Sequence, residues 1–167
     1  VLVTGINGFT GQHLRLVLQE RGYQVIGTAG SASIGLAEDI RVMDLRDVDS
    51  VNAVVRQIQP DFVVHLAAVS FVGHGDVNAF YQVNLLGTRN LLQALARLEK
   101  KPEAVLLASS ANVYGNAQEG KLCEQATVMP ANDYAVSKLA MEHMARLWQE
   151  MLPIVVARPF NYTGVGQ

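Results

Sequence analysis

Two regimes alternate along this chain. Short, largely apolar runs recur at Val1–Thr4, Gln24–Thr28, Asp39–Met43, Phe62–Ala67, Ala104–Ser109 and Ile154–Ala157, the fourth of them continuously so. Between them, Gly8–Arg21, Val48–Gln59, Asn78–Leu98 and Ala131–Gln149 carry apolar residues at helical spacing. In the first of these stretches Phe9, Leu14, Val17 and Leu18 form the inner side, and Asp47 stands where a cap is wanted before Val48. Strands apolar on both faces, alternating with helices, predict a doubly wound α/β domain: a parallel sheet with helices on both faces. Such sheets bind ligands beyond the carboxyl ends of their strands. The residues with chemical potential fall at those ends: Gly5, Thr28, Asp44, Ala67-Ala68, Ser109-Ser110 and Arg158–Asn161.

Composition narrows the classes. A chain of 167 residues suits one domain with a sizeable core, and 50% hydrophobic with 17% charged residues excludes a disordered chain. A net charge of −2 without a long basic run argues against nucleic acid or an anionic membrane as partner. Cys123 is the only cysteine, which excludes an internal disulfide, fits a reducing cytoplasm and reads as an ordinary loop thiol. No apolar run reaches the roughly 18 residues that cross a bilayer, and the start lacks a signal peptide's basic residues. Val1 begins in a strand without an initiator Met and Gln167 stops in a Gly-rich loop, so the expectation is the N-terminal part of a longer protein.

The motifs carry more. Thr4-Gly5-Ile6-Asn7-Gly8-Phe9-Thr10-Gly11 follows the first strand and opens a helix. Gly5 permits the tight turn, Gly8 lets backbone amides approach a pyrophosphate, and Gly11 lets the helix sit close on the sheet. The second strand's end, Gly27-Thr28-Ala29-Gly30-Ser31-Ala32-Ser33, has no acid before Glu38 to bind an adenosine ribose and repel a 2′-phosphate. Its hydroxyls and amides, including Thr28 and Ser31, either accept a phosphate, favouring NADP over NAD, or do not discriminate; Arg41 could reach this loop. Asp44 ends the third strand and can accept a hydrogen bond from an adenine amino group, whereas Asp47 reads as a helix cap.

His65, inside an apolar strand, reads as a satisfied structural residue; His13 and His143 are helical, and the histidines have no metal-ligand spacing, so no metal is expected. His74 lies in a Gly-His-Gly loop, either exposed or touching substrate. Tyr134-Ala-Val-Ser-Lys138 puts a phenol and an ammonium on one helix face. A nearby cation lowers a phenol's pKa by roughly 1–3 units, so Tyr134 is expected to exchange a proton with an alcohol or carbonyl oxygen near neutral pH.

Together, Thr4–Gly11, His65-Leu66-Ala67-Ala68, Asn84-Leu85-Leu86-Gly87-Thr88, Ser109-Ser110-Ala111-Asn112-Val113-Tyr114-Gly115, Tyr134–Lys138 and Arg158-Pro159-Phe160-Asn161 resemble the extended short-chain dehydrogenase/reductases, more narrowly the NAD(P)-dependent sugar epimerase/dehydratase group. The resemblance spans essentially the whole chain and implies a Rossmann-type sheet. It implies Ser110 as the catalytic hydroxyl, Tyr134 as general acid/base, and Lys138 on the nicotinamide ribose. It implies Asn7, Phe9 and Thr10 at the pyrophosphate, Asp44 and Leu45 at adenine, Leu66, Ala67, Ala68 and Ser70 along the dinucleotide, and Phe160 beside the nicotinamide. Substrate would meet Ser70, Ser110, Asn112 and Asn161.

The group's 4,6-dehydratases carry a glutamate where this chain has Asn112, and an amide cannot take a carbon-bound proton. That leaves reduction of a 4-keto-6-deoxy sugar nucleotide, or 4-epimerisation as the alternative. The tail Ala157–Gln167, Ser70-Phe71-Val72 and Ala135–Ala140 are similar to the GDP-4-keto-6-deoxy-mannose reductases, which favours a GDP-linked substrate. A non-catalytic dinucleotide-binding regulator would typically lose Tyr134, Lys138 or a loop glycine, and all are retained. The resemblance also implies that the sugar nucleotide is bound mostly by a C-terminal lobe beyond this chain, and that the helices Asn78–Leu98 and Ala131–Gln149 form a four-helix homodimer seam.

Overall fold

Each apolar run becomes a strand, because its Val, Ile and Leu residues fit a pleat covered on both sides. The computed structural model describes residues 1–31, 37–71, 76–116 and 121–165. Among these, β1 (Leu2–Thr4), β2 (Ile26–Ala29), β3 (Ile40–Val42), β4 (Phe62–His65), β5 (Ala104–Ala108) and β6 (Ile154–Ala157) form one sheet in the order β3-β2-β1-β4-β5-β6. Every pairing is parallel, with Thr4 opposite Thr28 on one side and His65 on the other. The chain reverses direction across the sheet between β1 and β4, the point where a crevice opens beyond the strand ends.

The helices are α1 (Phe9–Glu20), α2 (Val48–Ile58), α3 (Thr88–Ala96) and α4 (Asp133–Arg146). The larger apolar cluster joins Leu2, Val63, Val105 and Leu107 of the sheet to Val51 and Val55, Leu91 and Leu95, and Met141 and Ala145 of α2, α3 and α4. On the other face a smaller cluster of Val3, Ile6 and Val25 is covered by Leu14 and Leu18 of α1. Val17 does not join it: the side chain is 42% exposed, because the buried stripe of α1 runs through Gly11, Leu14 and Leu18.

Asp47 caps α2, its carboxylate accepting from the N–H of Asp49 at 3.0 Å and of Ser50 at 3.3 Å. Asn132 caps α4 by accepting from Ala135 N–H at 2.8 Å, so that helix starts later than the apolar pattern alone implies. The helix expected over 78–98 contains a second correction: Phe80–Gly87 winds as a π-helix before α3. This wide turn carries Asn84, whose carboxamide accepts from Val69 N–H at 2.8 Å, donates to Val69 C=O at 2.9 Å and reaches Ser137 Oγ at 3.0 Å. One side chain thereby ties the segment after β4 to α4.

Gly11 is the tightest contact between α1 and the loop before it. A Cβ there would come 2.4 Å from Gly5 C=O and 2.7 Å from Ile6 C=O. Replacing a helical glycine by alanine ordinarily stabilises a helix by about 1 kcal/mol. Here the sign reverses, and Gly11→Ala should lower the unfolding free energy in urea by about 1–3 kcal/mol, the usual range for overpacking. A stabilised variant would refute the close seat of α1.

Candidate active site

Where β1 ends, the chain turns at Gly5 with φ +71°, and Gly5 N–H donates to Thr28 C=O at 3.1 Å. A Cβ on Gly5 would meet Ala67 N at 2.8 Å, so this residue lets the ends of β1 and β4 approach each other. Gly8 precedes α1 and supplies no side chain to cap its first-turn N–H groups. Those amides point toward the crevice end of the sheet, an arrangement suited to an anion.

Two adjoining cavities share Gly5, Gly8, Leu66 and Ala68. One, about 550 Å³, is lined by Thr28, Gly30, Ser31, Asp44, Leu45, Arg46, Ala67 and Val69. The other, about 230 Å³, is lined by Phe9, Thr10, Gly11, Ser70, Ala108, Ser109, Tyr134, Lys138 and Tyr162. A larger cavity of about 610 Å³ lies behind α4 along Glu142, Arg146 and Arg158, without a glycine-loop residue, Tyr134 or Lys138. Volume therefore does not mark the site here; the convergence of reactive groups does.

Tyr134 and Lys138 stand one turn apart on α4 and face the end of β5. Lys138 is 4% exposed, its Nζ donates to Ala108 C=O at 2.8 Å, and it lies 5.9 Å from the Tyr134 ring centroid. Burial lowers its pKa to about 8. Tyr134 corrects the expectation from spacing: its pKa is raised, chiefly by burial, with the Ser110 hydroxyl opposing and Tyr162 adding to the rise. The ammonium is held against a backbone carbonyl rather than the phenol, so desolvation outweighs it. Ser110 Oγ accepts from Asn112 N–H at 3.1 Å at the head of the 3₁₀ turn Ala111–Tyr114, which leaves its proton to be donated elsewhere.

The other expected residues divide. Asp44 lines the larger of the two adjoining cavities, but its carboxylate is engaged by Arg46, with Nη2 at 2.7 Å and Nε at 3.0 Å. That hydrogen-bonded guanidinium holds its pKa below the ordinary carboxylate range. Asn7 is exposed, its carbonyl accepting from Gln12 Nε2 at 2.9 Å. Asn112 and Asn161 are exposed and line neither cavity, and Phe160 lines the one behind α4. Tyr162 lines the smaller cavity, its hydroxyl 2.5 Å from Thr10 Oγ1 and its ring stacked on Phe9 at 6.1 Å between centroids. Ser33 and His74 lie outside the described residues.

Arg46, Asn84, Ser137 and Tyr162 were not singled out from sequence. Arg46 had a visible signal, a guanidinium two residues from Asp44; the others meet their partners only through the fold.

His65 is satisfied inside the sheet, as expected of a structural histidine. Thr88 Oγ1 donates to Asn84 C=O at 2.7 Å, so it must accept from His65 Nε2–H, 2.8 Å away. Thr4 Oγ1 accepts from Ala67 N–H at 3.1 Å and donates to His65 Nδ1 at 2.7 Å. Burial, and then the charge of Lys138, lower the His65 pKa to about 3. Among the described residues no group of three or more His, Cys, Asp or Glu could hold a metal ion, and no helix is long and apolar enough to cross a membrane.

The model of the NAD dependent epimerase/dehydratase family matches residues 1–167. The GDP-6-deoxy-D-talose 4-dehydrogenase of Aggregatibacter actinomycetemcomitans is 39% identical over 168 residues, covering 100% of this chain and 54% of that protein. The GDP-6-deoxy-D-mannose reductase of Pseudomonas aeruginosa is 38% identical over 173 residues, covering 100% of this chain and 53% of that protein. The structure of RMD from Pseudomonas aeruginosa complexed with NADPH superposes with a TM-score of 0.78 at 35% identity, covering 99% of this chain and 56% of that one. The chain thus spans about half the length of the curated relatives it matches.

The hydrogen-bond chain through His65 yields a test. Nuclear magnetic resonance of the ring nitrogens should find His65 neutral, protonated at Nε2, from pH 8 down to pH 5. Its folded pKa of about 3 lies below the unfolded value of 6.5, so the unfolded state binds the extra proton. Stability from this group is present above pH 6.5 and falls by about 1.4 kcal/mol per pH unit as pH drops toward 3. An imidazole that titrates near 6.5 in the folded protein would overturn this assignment.

Proposed function

The chain belongs to the NAD dependent epimerase/dehydratase family, and from that premise we propose that it is the dinucleotide-binding and catalytic part of a nucleotide-sugar oxidoreductase. The favoured reaction is reduction of a 4-keto-6-deoxy sugar nucleotide, GDP-linked, with NADP or NAD as cofactor. The observation that carries this reading is the meeting of Tyr134, Lys138 and the glycine loop around one cavity, with Ser110 against the phenol. The residues fit a dinucleotide: Gly5, Gly8 and Gly11 leave the loop open to a pyrophosphate beside Phe9 and Thr10, and the larger adjoining cavity takes an adenosine between Thr28, Ser31, Asp44 and Leu45. Leu66, Ala67, Ala68 and Ser70 would run along the cofactor between the two.

A reduced nicotinamide held there would supply hydride to the carbonyl carbon. The protein's task is the proton. A raised pKa keeps Tyr134 protonated at neutral pH, the form that donates to a keto oxygen as it becomes an alcohol. Ser110, its own lone pair taken by Asn112 N–H, donates to the same oxygen and holds it as charge develops. Lys138, its pKa lowered by burial to about 8, can hold the nicotinamide ribose through its ammonium. Epimerisation, the alternative, would begin with Tyr134 as a base. Asn112 offers no base for dehydration.

The sugar and its nucleotide would be held largely by a C-terminal lobe, with Asn112 and Asn161 turned toward it; the half-length match to the relatives supports that division. Exposed apolar residues Leu86, Val136 and Leu147 lie on the π-helical segment and on or just after α4, and we propose that a second copy covers them in a four-helix homodimer seam. The exposed, unpaired thiol of Cys123 accords with a cytoplasmic protein.

In the full-length protein, Tyr134→Phe should retain NADPH affinity and lose about 10²–10⁴-fold in turnover of a 4-keto sugar nucleotide, the usual cost of deleting a general acid. Turnover within about threefold of wild type would remove Tyr134 from the chemistry. Fluorescence titration addresses the cofactor: with hydroxyls and amides at Thr28, Gly30 and Ser31 and no carboxylate there, NADPH should bind at least as tightly as NADH. A roughly tenfold preference for NADH, worth about 1.4 kcal/mol, would count against this assignment.

A further inference from the structure

Buried Ser109, Tyr114 and Glu142 and half-buried Arg158 form a polar cluster that the proton chemistry does not use. Arg158 grips Glu142 with Nε at 2.9 Å from Oε1 and Nη2 at 2.6 Å from Oε2, and its Nη1 donates to Tyr114 Oη at 2.9 Å. Its guanidinium carbon lies 5.0 Å from the Tyr114 ring centroid. The Ser109 hydroxyl donates to Glu142 Oε1, and Glu142 is only 5% exposed.

Three members of this cluster belong to, or adjoin, elements that carry a catalytic atom, and Arg158 ties them to β6. Glu142 follows Lys138 by one helical turn and Tyr134 by two, so all three share a face of α4. Ser109 sits between Ala108, whose carbonyl receives Lys138, and Ser110. Tyr114 closes the 3₁₀ turn that Ser110 caps. Arg158 directly follows β6, whose last residue accepts Ser109 N–H at 2.7 Å.

An apolar pair would fill the same volume at less desolvation cost, but it would not fix direction. A two-pronged guanidinium–carboxylate contact fixes both distance and angle. We infer that Glu142 and Arg158 are positioning residues, a brace that sets the height of Tyr134 and Lys138 along α4 against Ser110 at the end of β5. This rests on the proposed reductase chemistry, in which a displacement near 1 Å costs about 10²-fold in rate.

The test compares full-length Glu142→Gln, which breaks the ionic fork, and Arg158→Lys, which keeps the charge and loses the planar fork, with wild type and Tyr134→Phe. It measures kcat and KM for a 4-keto sugar nucleotide, NADPH affinity and melting temperature, with assays run well below melting. For both fork variants kcat should fall about tenfold or more while KM and NADPH affinity stay within about threefold, because misalignment acts on the transition state. Should either fail to fold, Ser109→Ala deletes only the hydroxyl that ties the brace to β5, and the same split is expected. Folded variants with kcat within about threefold of wild type overturn the inference, as does a loss shared equally by kcat, KM and NADPH affinity. Turnover by Tyr134→Phe would instead sink the underlying reading.

Discussion

The crevice depends on how closely β1 and β4 approach at their carboxyl ends. Gly5 leaves β1 so near the segment after β4 that a methyl group would meet Ala67 N at 2.8 Å. Thr4 and Thr88 hold that approach through one imidazole, each hydroxyl accepting on one side and donating on the other. The chain works in one protonation state only. A charged ring would present two donors, Thr4 would then receive both Nδ1–H and Ala67 N–H, and its own proton would be buried without an acceptor. The cost of that lost bond adds to the desolvation that already lowers the His65 pKa. The ends of β1 and β4, the segment after β4 and the start of α3 are thereby fixed by a neutral polar network.

Charge on α4 follows a related rule. Lys138 and Glu142 are one turn apart, a spacing at which opposite charges commonly pair on a helix surface. Here each binds something else: the ammonium a carbonyl at the end of β5, the carboxylate a guanidinium just beyond β6. The helix is consequently anchored to two strands instead of to itself. The unneutralised ammonium is what allows burial to lower the Lys138 pKa toward 8, while the neighbouring phenol is pushed the other way. At neutral pH the pair therefore rests as ammonium and neutral phenol.

How much of this was legible in the sequence depends on the range of the interaction. The six strands, the glycine turn and the Tyr134–Lys138 pair were readable because each is a local pattern of spacing. The Asp47 cap is likewise local, a side chain meeting amides two and three residues on. The π winding at Phe80–Gly87 was not, since an apolar pattern continuous over 78–98 suits either winding and the choice is tied to where Asn84 finds partners across the fold. Val17 misled because one turn of α1 offers two plausible stripes, and Gly11 decides between them by contact with the loop backbone. The direction of the Tyr134 shift was misjudged for a related reason: spacing reveals a neighbouring charge, but burial belongs to the assembled sheet and helices. Glu142 and Arg158 lie 16 residues apart and meet only when β6 is laid beside β5.

The end of the crevice lined by Thr28, Ser31 and Asp44, where we propose an adenosine, shows how a local pair changes an electrostatic argument. An acid at the end of β2 would ordinarily repel a phosphate on the ribose, and that strand end has none. Asp44, at the end of β3, lines the same cavity, yet Arg46 binds both of its oxygens, so this carboxylate arrives already paired with a cation. Thr28, Gly30 and Ser31 complete the lining without adding charge. Repulsion of a 2′-phosphate is thus largely removed, but no guanidinium is left unengaged by a carboxylate in that lining to clamp it. Discrimination must then come from individual hydrogen bonds to the charged group, each worth about 1.5–3 kcal/mol. One such bond amounts to a preference of roughly ten- to 150-fold before desolvation is subtracted, and less after. A site built this way selects by the placement of hydroxyls and amides rather than by net charge, so its cofactor choice should shift readily with substitutions along β2's exit.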